Sequence, residues 1–347
     1  MPETIPPPAR SGLLRVPAEW EPQEALWLSW PANPNTWPGR LDLIQGWFAR
    51  FAALVARFEP VRINADPRLH SGIKRHLDDA GAPAGEVEVL PIPVNDVWCR
   101  DHAAVFAFDH KQRLVALDFR YNAWGGKFAP WDLDALAAGR MAEALGIPCL
   151  QLDFVCEGGA LEFDGQGSLI TTESVLLDPA RNPGSSRASI EARFRELLDL
   201  HTFCWLPAGL HDDDTGGHAD TFVRFFPPAG ILTLEAPASH PDAAVLAGNT
   251  ARLAAAFPDR DLVTLPLPSL PAPAGWRQPT LPALYANYVV LNGAVLVPAY
   301  GLSSPDTEAV ETLRTCFPSR EILSVDCRDL ILEGGALHCI SQYQPAA

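Results

Sequence analysis

The sequence predicts a mixed α/β or α+β fold rather than a doubly wound parallel sheet, on three observations. Short runs of β-branched and aromatic residues alternate with amphipathic helical segments along most of the chain. Two apolar runs are joined by Asn292-Gly293, the dipeptide that favours a two-residue hairpin turn, so some neighbouring strands are antiparallel. The pentapeptide E-G-G-A-L occurs at Glu157–Leu161 and again at Glu333–Leu337. Such an echo is what pseudo-symmetric units would leave, although five matching residues also arise by chance.

In chain order, residues 1–12 are Pro-rich and read as an arm ahead of one folded unit over residues 13–347. The folded part starts in the Trp- and Pro-rich run Trp20 to Pro38, with a short strand at Ala25–Ser29. Leu43, Trp47, Phe51, Leu54, Val55 and Phe58 recur at helical spacing, which predicts an amphipathic helix over Leu41–Phe58. Val61–Ala65 reads as a strand, Ile73–Ala80 as a helix stopped by Gly81, and Val87–Ile92 and Ala104–Phe108 as strands. Helices are expected over Leu133–Leu145 and Ser189–Leu200. Strands are expected at Leu169–Thr172, Phe222–Phe226, Ile231–Leu234 and Val289–Val297, the last folding back at Asn292-Gly293. Leu265–Pro282 has the composition of a linker, but the strands and motif behind it read as the same fold.

Composition narrows the function. The 347 residues are 48% hydrophobic and 20% charged, with no apolar run near the ~18 residues of a membrane span. The start M-P-E-T-I-P-P-P lacks the basic and apolar regions of a signal peptide. Seven cysteines, an odd number without C-x-x-C spacing, argue against a disulfide framework and a zinc knuckle, so a reduced, cytoplasmic protein is expected. The net charge of −16 disfavours nucleic acid and anionic membrane and favours a cationic small molecule. Acidity is also a common route to solubility, and the sequence leaves self-association into a homo-oligomer open.

Four stretches can carry chemistry. Cys339 follows Gly334-Gly335 in an apolar, strand-like run; a thiolate there would be a strong nucleophile, while a cysteine between apolar neighbours is also a common core residue. N-D-V-W-C-R-D-H brings Asp96, Trp98, Arg100 and Asp101 together, and Glu157 stands beside two glycines. In H-D-D-D-T-G-G-H-A-D-T-F, His218 and Asp220 open a strand, where residues two apart share a face. No H-x-x-x-H or paired-cysteine spacing accompanies them, so neither metal nor cofactor is expected. A cysteine, a histidine that exchanges protons and several carboxylates suit a substrate that is cationic at its reacting carbon. A guanidinium is planar, charged and paired bidentately by carboxylates.

Together these stretches resemble the agmatine deiminase / bacterial peptidylarginine deiminase family of guanidine-modifying enzymes, the penteins. The likeness runs from W-E-P-Q-E-A-L-W-L-S-W-P through N-D-x-W-x-R-D, Y-N-A-W-G-G-K, E-G-G-A-L, T-T-E-S-V-L-L-D-P-A-R-N-P and D-T-G-G-H-A-D to G-G-x-x-H-C-I-S-Q. It implies a five-bladed α/β propeller, the pentein fold, of pseudo-symmetric ββαβ units around an acidic centre. It also implies hydrolysis of a guanidine to a urea and ammonia.

By the same resemblance Cys339 is the nucleophile and His218 the general acid and base. Glu157 holds the histidine, and Asp101 and Asp220 clamp the guanidinium. Trp98, Asp96, Asn287, Gly335 and Trp124 are implied as substrate-binding positions. Positive charge from the substrate and His218 is expected to lower the thiol pKa. Three places depart from the family pattern. R-D-H-A-A stands for R-D-[ST]-G-P, D-T-G-G-H for D-T-D-G-H with Gly216 in place of an acid, and E-G-G-A-L-H-C for G-G-G-N-I-H-C.

Overall fold

The computed structural model describes residues 12–278 and 280–347; the Pro-rich arm, Gly12 apart, lies outside the described residues. Strand β1 (Gln23–Ser29) leads through helix α1 (Leu41–Val55) to β2 (Val61–Asn64), and α2 (His70–Asp79) leads on to β3 (Val87–Leu90). After the single turn α3 (Cys99–His102), β4 (Val105–Phe108) and β5 (Leu114–Arg120) form a hairpin. A short turn α4 (Ala123–Gly126) and α5 (Ala137–Leu145) then precede β6 (Cys149–Val155). The pattern recurs in β7 (Glu162–Phe163), β8 (Ser168–Thr172), α6 (Glu173–Leu176), α7 (Arg187–Leu197) and β9 (Thr202–Leu206). It recurs again in β10 (Val223–Phe226), β11 (Gly230–Glu235), α8 (Ala243–Ala256) and β12 (Leu262–Pro266). A small hairpin, β13 (Ser269–Pro271) and β14 (Thr280–Pro282), precedes β15 (Val289–Leu291), β16 (Ala294–Ala299), α9 (Ser303–Cys316), β17 (Glu321–Asp326) and β18 (Ser341–Pro345).

Five of the sheets share one plan: an antiparallel pair, a helical crossover, then a strand added in parallel. In the first sheet the antiparallel partner comes from the other end of the chain. β18 pairs with β1, setting Tyr343 opposite Leu26, while β2 and β3 extend the sheet in parallel. The mixed α/β class is therefore as expected, and the echo at Glu157 and Glu333 falls in two of these units.

Local chemistry explains most boundaries. β1 is buried at every position but Glu24, as befits a strand covered on both faces. α1 buries Ile44, Trp47, Phe48, Phe51, Ala52 and Val55 on one side and stops at Val55 rather than Phe58, short of Pro60. α2 starts at His70 instead of Ile73 because Asp66 caps a preceding 3₁₀ turn at Pro67–Leu69. At Asn292-Gly293 the turn is stitched to β1. Asn292 Nδ2 donates to the Gln23 carbonyl at 2.7 Å, and the Gln23 amide donates back to Asn292 Oδ1 at 3.0 Å. The linker-like stretch Leu265–Pro282 holds the β13–β14 hairpin, and Pro266, Pro271 and Pro282 end strands there. No helix among the described residues is long and apolar enough to cross a membrane.

Candidate active site

Cys339 lies in a turn just ahead of β18, not inside a strand, and the turn is held by distant backbone. Its carbonyl accepts from the Arg100 amide at 3.1 Å, and its amide donates to Asn287 Oδ1 at 3.2 Å. Asn287 Nδ2 lies 3.2 Å from Cys339 Sγ and also donates to the Asp220 carbonyl at 3.1 Å. His218 precedes and Asp220 lies within a 3₁₀ turn at Ala219–Thr221, instead of alternating along a strand, and the turn still aims both at one point. That point is marked by Gly159. A Cβ there would stand 2.6 Å from His218 Nδ1, 2.7 Å from Asp101 Oδ1 and 3.2 Å from Asp220 Cγ.

Each charged group has a distinct setting. Asp101 Oδ1 accepts from the Gly159 amide at 3.1 Å and Oδ2 from the Trp124 indole at 3.0 Å. Delivering that indole puts both Ala123 and Trp124 in the left-handed region, at φ 50° and 57°, a strain of order 1–3 kcal/mol per residue. Burial, with Asp220 and Glu157 nearby, raises the Asp101 carboxyl to about 7 against the pull of His218. Glu157 is fully buried and receives Arg181 Nε at 2.8 and 3.1 Å on its two oxygens. Burial would raise it, but His218 and Arg181 outweigh that and hold it low.

His218 Nδ1 is 3.4 Å from Asp101 and Nε2 3.6 Å from Glu157, and neither ring nitrogen has a hydrogen-bond partner. Burial works against its charge, yet Asp101, Glu157 and Asp220 raise it to about 9. Asp220 Oδ2 is 2.7 Å from His338 Nδ1 while its Oδ1 has no partner. Cys339 Sγ lies 3.7 Å from Asp220. Burial, then Asp220 and Asp101, push the thiol well above its ordinary range. The protein groups alone thus do the opposite of the expected activation: they keep sulfur protonated.

A cavity of about 630 Å³ opens onto this floor. Asp96, Trp98, Asp101, Trp124, Gly335 and Cys339 line it, whereas Glu157, His218, Asp220 and Asn287 stand directly behind. Gly335 is fixed by packing, since a Cβ would come within 2.2 Å of Trp98 Cζ3. Asp96 accepts from Thr36 Oγ1 at 2.7 Å, and burial raises its carboxyl to about 6. Around the rim, Lys127, Asp214, Arg277 and Glu333 form a row of alternating charge, with Lys127 Nζ on the Asp214 carbonyl at 2.7 Å. Three participants carry no role in the sequence reading. Arg181 was visible in D-P-A-R-N-P without a partner to explain it. Glu19, on the segment before β1, pairs with Arg100 at 2.9 Å and with Arg224. The third, the Ala274–Arg277 tip of the β13–β14 hairpin, was hidden in linker-like composition.

Residues 15–345 match the model of the Porphyromonas-type peptidyl-arginine deiminase family. The chain belongs to that family. Among curated members of similar sequence, the agmatine deiminase of Pseudomonas aeruginosa (strain LESB58) is 34% identical over 97% of each chain. The solved agmatine deiminase of Enterococcus faecalis superposes with a TM-score of 0.88 at 28% identity, covering 98% of this chain and 99% of that one. A putative arginine deiminase from Porphyromonas gingivalis gives a TM-score of 0.83 at 35% identity, covering 96% of this chain and 98% of that one. The peptidyl-arginine deiminase match runs through every unit of the fold and includes all the residues gathered around Gly159.

Proposed function

We propose that this chain is an agmatine deiminase, a hydrolase that cleaves a C–N bond of agmatine to give N-carbamoylputrescine and ammonia. One observation carries the reading. Beneath a cavity reached by Cys339 and Asp101, the buried Asp220 Oδ1 is left without a partner beside the Asp101 carboxylate, around a single point. Buried unpartnered polar atoms are costly, and a guanidinium offers five N–H donors with charge to match.

In this reading Asp101 and Asp220 grip the guanidinium and keep its central carbon electrophilic, while Trp98 and Trp124 wall the channel. The arriving positive charge displaces the Cys339 proton, so the nucleophile forms only with substrate in place. Sulfur attacks the central carbon, and His218, an imidazolium below about 9, protonates the departing nitrogen to release ammonia. The covalent thiouronium is then attacked by water, which neutral His218 deprotonates. Collapse gives the urea product and returns the thiol, and the displaced proton leaves with ammonia as ammonium. Glu157, anchored by Arg181, orients the ring. Asn287 positions the sulfur rather than touching substrate, and Asp96 lies farther along the channel. Residues 13–347 act as one deiminase unit in the cytoplasm. The repeated sheet plan, closed by β18 on β1, supports a five-bladed propeller.

A carboxylate-bearing guanidine such as free or C-terminal arginine is the second reading, because Lys127 and Arg277 stand at the rim. Both are already paired, however, and Asp96, Asp213, Asp214 and Glu333 line the same cavity, which favours an ammonium. Ammonia release measured across agmatine, arginine, arginine peptides and short guanidines decides. A like-charge contact worth ~2 kcal/mol corresponds to about thirtyfold in kcat/KM. Agmatine is expected to lead arginine by at least that factor; comparable values would overturn agmatine while leaving the deiminase chemistry standing.

A further inference from the structure

Behind the nucleophile lies a chain of charged groups that the reaction scheme does not use. His338 is buried, with Nδ1 2.7 Å from Asp220 Oδ2 and Nε2 2.6 Å from Glu19 Oε1. Glu19 is anchored in turn by Arg100 from α3, at 2.9 Å, and by Arg224 from β10, which also reaches Glu162 at 3.1 Å. A neutral imidazole carries one N–H and one lone pair, whereas an ionised carboxylate can only accept. A neutral ring between two carboxylates would therefore set lone pair against lone pair at one of these two contacts.

Arg100 and Arg224 face Glu19 and Asp220, and Glu162, raised by burial to about 7, adds a partial negative charge that a charged ring would offset. Glu19 and Asp220 both stay low in spite of burial, Glu19 through Arg224 and Asp220 through its hydrogen bond with His338. Burial, Arg100 and Arg224 outweigh the two carboxylates and hold the ring below its ordinary range, so charge alone favours a neutral ring. The close contacts on both nitrogens require the second hydrogen to stay.

We propose that His338 is a positioning residue. As an imidazolium donating to Glu19 and Asp220 at once, it fixes Asp220 Oδ2 so that the partnerless Oδ1 remains available to grip the guanidinium. Glu19, held by the two arginines, is the fixed end of this strut. The inference rests on the deiminase reading for its kinetic part only.

Ring ¹⁵N NMR on the full-length protein tests the strut without substrate. His338 is assigned by the signals that vanish in His338→Asn and shift in Glu19→Gln. Two ring hydrogens are expected near neutral pH in the native protein and one in Glu19→Gln, whose amide can donate to Nε2. A singly protonated native ring overturns the proposal. Kinetically, His338→Asn is expected to raise KM for agmatine about ten- to hundredfold, the worth of one charge-assisted hydrogen bond, with a smaller change in kcat. Glu19→Gln should be milder, since a neutral ring can still donate to Asp220; it carries the kinetic test if His338→Asn fails to fold. Native KM in Glu19→Gln and in folded His338→Asn would also overturn the strut. A native protein that turns over no guanidine instead refutes the deiminase reading, and the NMR result still decides the strut.

Discussion

Replacing Gly159 with alanine adds one methyl group where the His218, Asp101 and Asp220 side chains converge. Its Cβ would fall 2.6 Å from His218 Nδ1 and 2.7 Å from Asp101 Oδ1, where ordinary contact begins at 3.4 Å, leaving a shortfall of 0.8 Å at the histidine. Neither neighbour is the far end of a flexible chain. Asp101 is held through both oxygens, and His218 is fully buried between two carboxylates. The strain must therefore displace His218, Asp101 or the Glu157–Leu161 turn. Displacements approaching 1 Å cost about a hundredfold in rate, and overpacking a filled site costs ~1–3 kcal/mol in stability. Gly159→Ala is expected to lower kcat for agmatine by about that hundredfold in an ammonia-release assay and to lower the denaturation midpoint. Gly248→Ala in α8, where an added Cβ meets nothing within 4 Å, is the matched control and should gain ~0.5–1 kcal/mol. A Gly159→Ala protein with native kcat would refute the placement of the reacting groups around this glycine.

Cys339→Ser should abolish turnover while leaving the fold intact, and alanine at the exposed Cys149 should change nothing. A substrate adduct trapped on any cysteine but Cys339, located by peptide mass, would refute the assignment. Because His218 is raised from an ordinary 6.5 to about 9, activity is expected to persist through neutral pH and fall as pH climbs through 9. Its contribution to stability is complete below about 6.5 and is lost over the same upper window, which urea unfolding at neutral and high pH reads. Prolonged chelation should leave activity unchanged, since the described residues contain no group of three or more side chains placed to hold a metal; loss restored by added zinc would refute this.

What was legible in the sequence is what local chemistry writes there. The turn at Asn292-Gly293, the helix at Leu41 and the β-branched strands announce themselves within a few residues, and the E-G-G-A-L echo marked two sites of tight packing. Helices α8 and α9 left little trace. α8 is Ala-rich and buries chiefly Leu246, Asn249 and Leu253, and α9 buries only Ala309, Leu313 and Cys316, so neither shows a wide apolar stripe. The turns carrying Cys339 and His218 read as strand starts because tertiary bonds from Arg100 and Asn287, not local propensity, bend the Cys339 segment. Glu19 was illegible for a similar reason: its partner His338 lies 319 residues away. A carboxylate in a Pro-rich stretch carries no mark of what it will meet.

The pairing of β18 with β1 also bears on biosynthesis. As the chain emerges from the ribosome, β1 can pair with β2 early, but its other edge stays open until the last residues of β18 are made. That edge belongs to Q-E-A-L-W-L-S, an apolar, fully extended segment of the kind that recruits other chains. From the synthesis of β1 (Gln23–Ser29) until that of β18 (Ser341–Pro345), the nascent protein carries an adhesive border together with an unassembled candidate site. The arrival of β18 seals both in one event, because the strand that covers the border begins two residues after Cys339. Slow elongation between β1 and β18 would prolong that exposure, and holdase chaperones that cover extended apolar segments would shorten it.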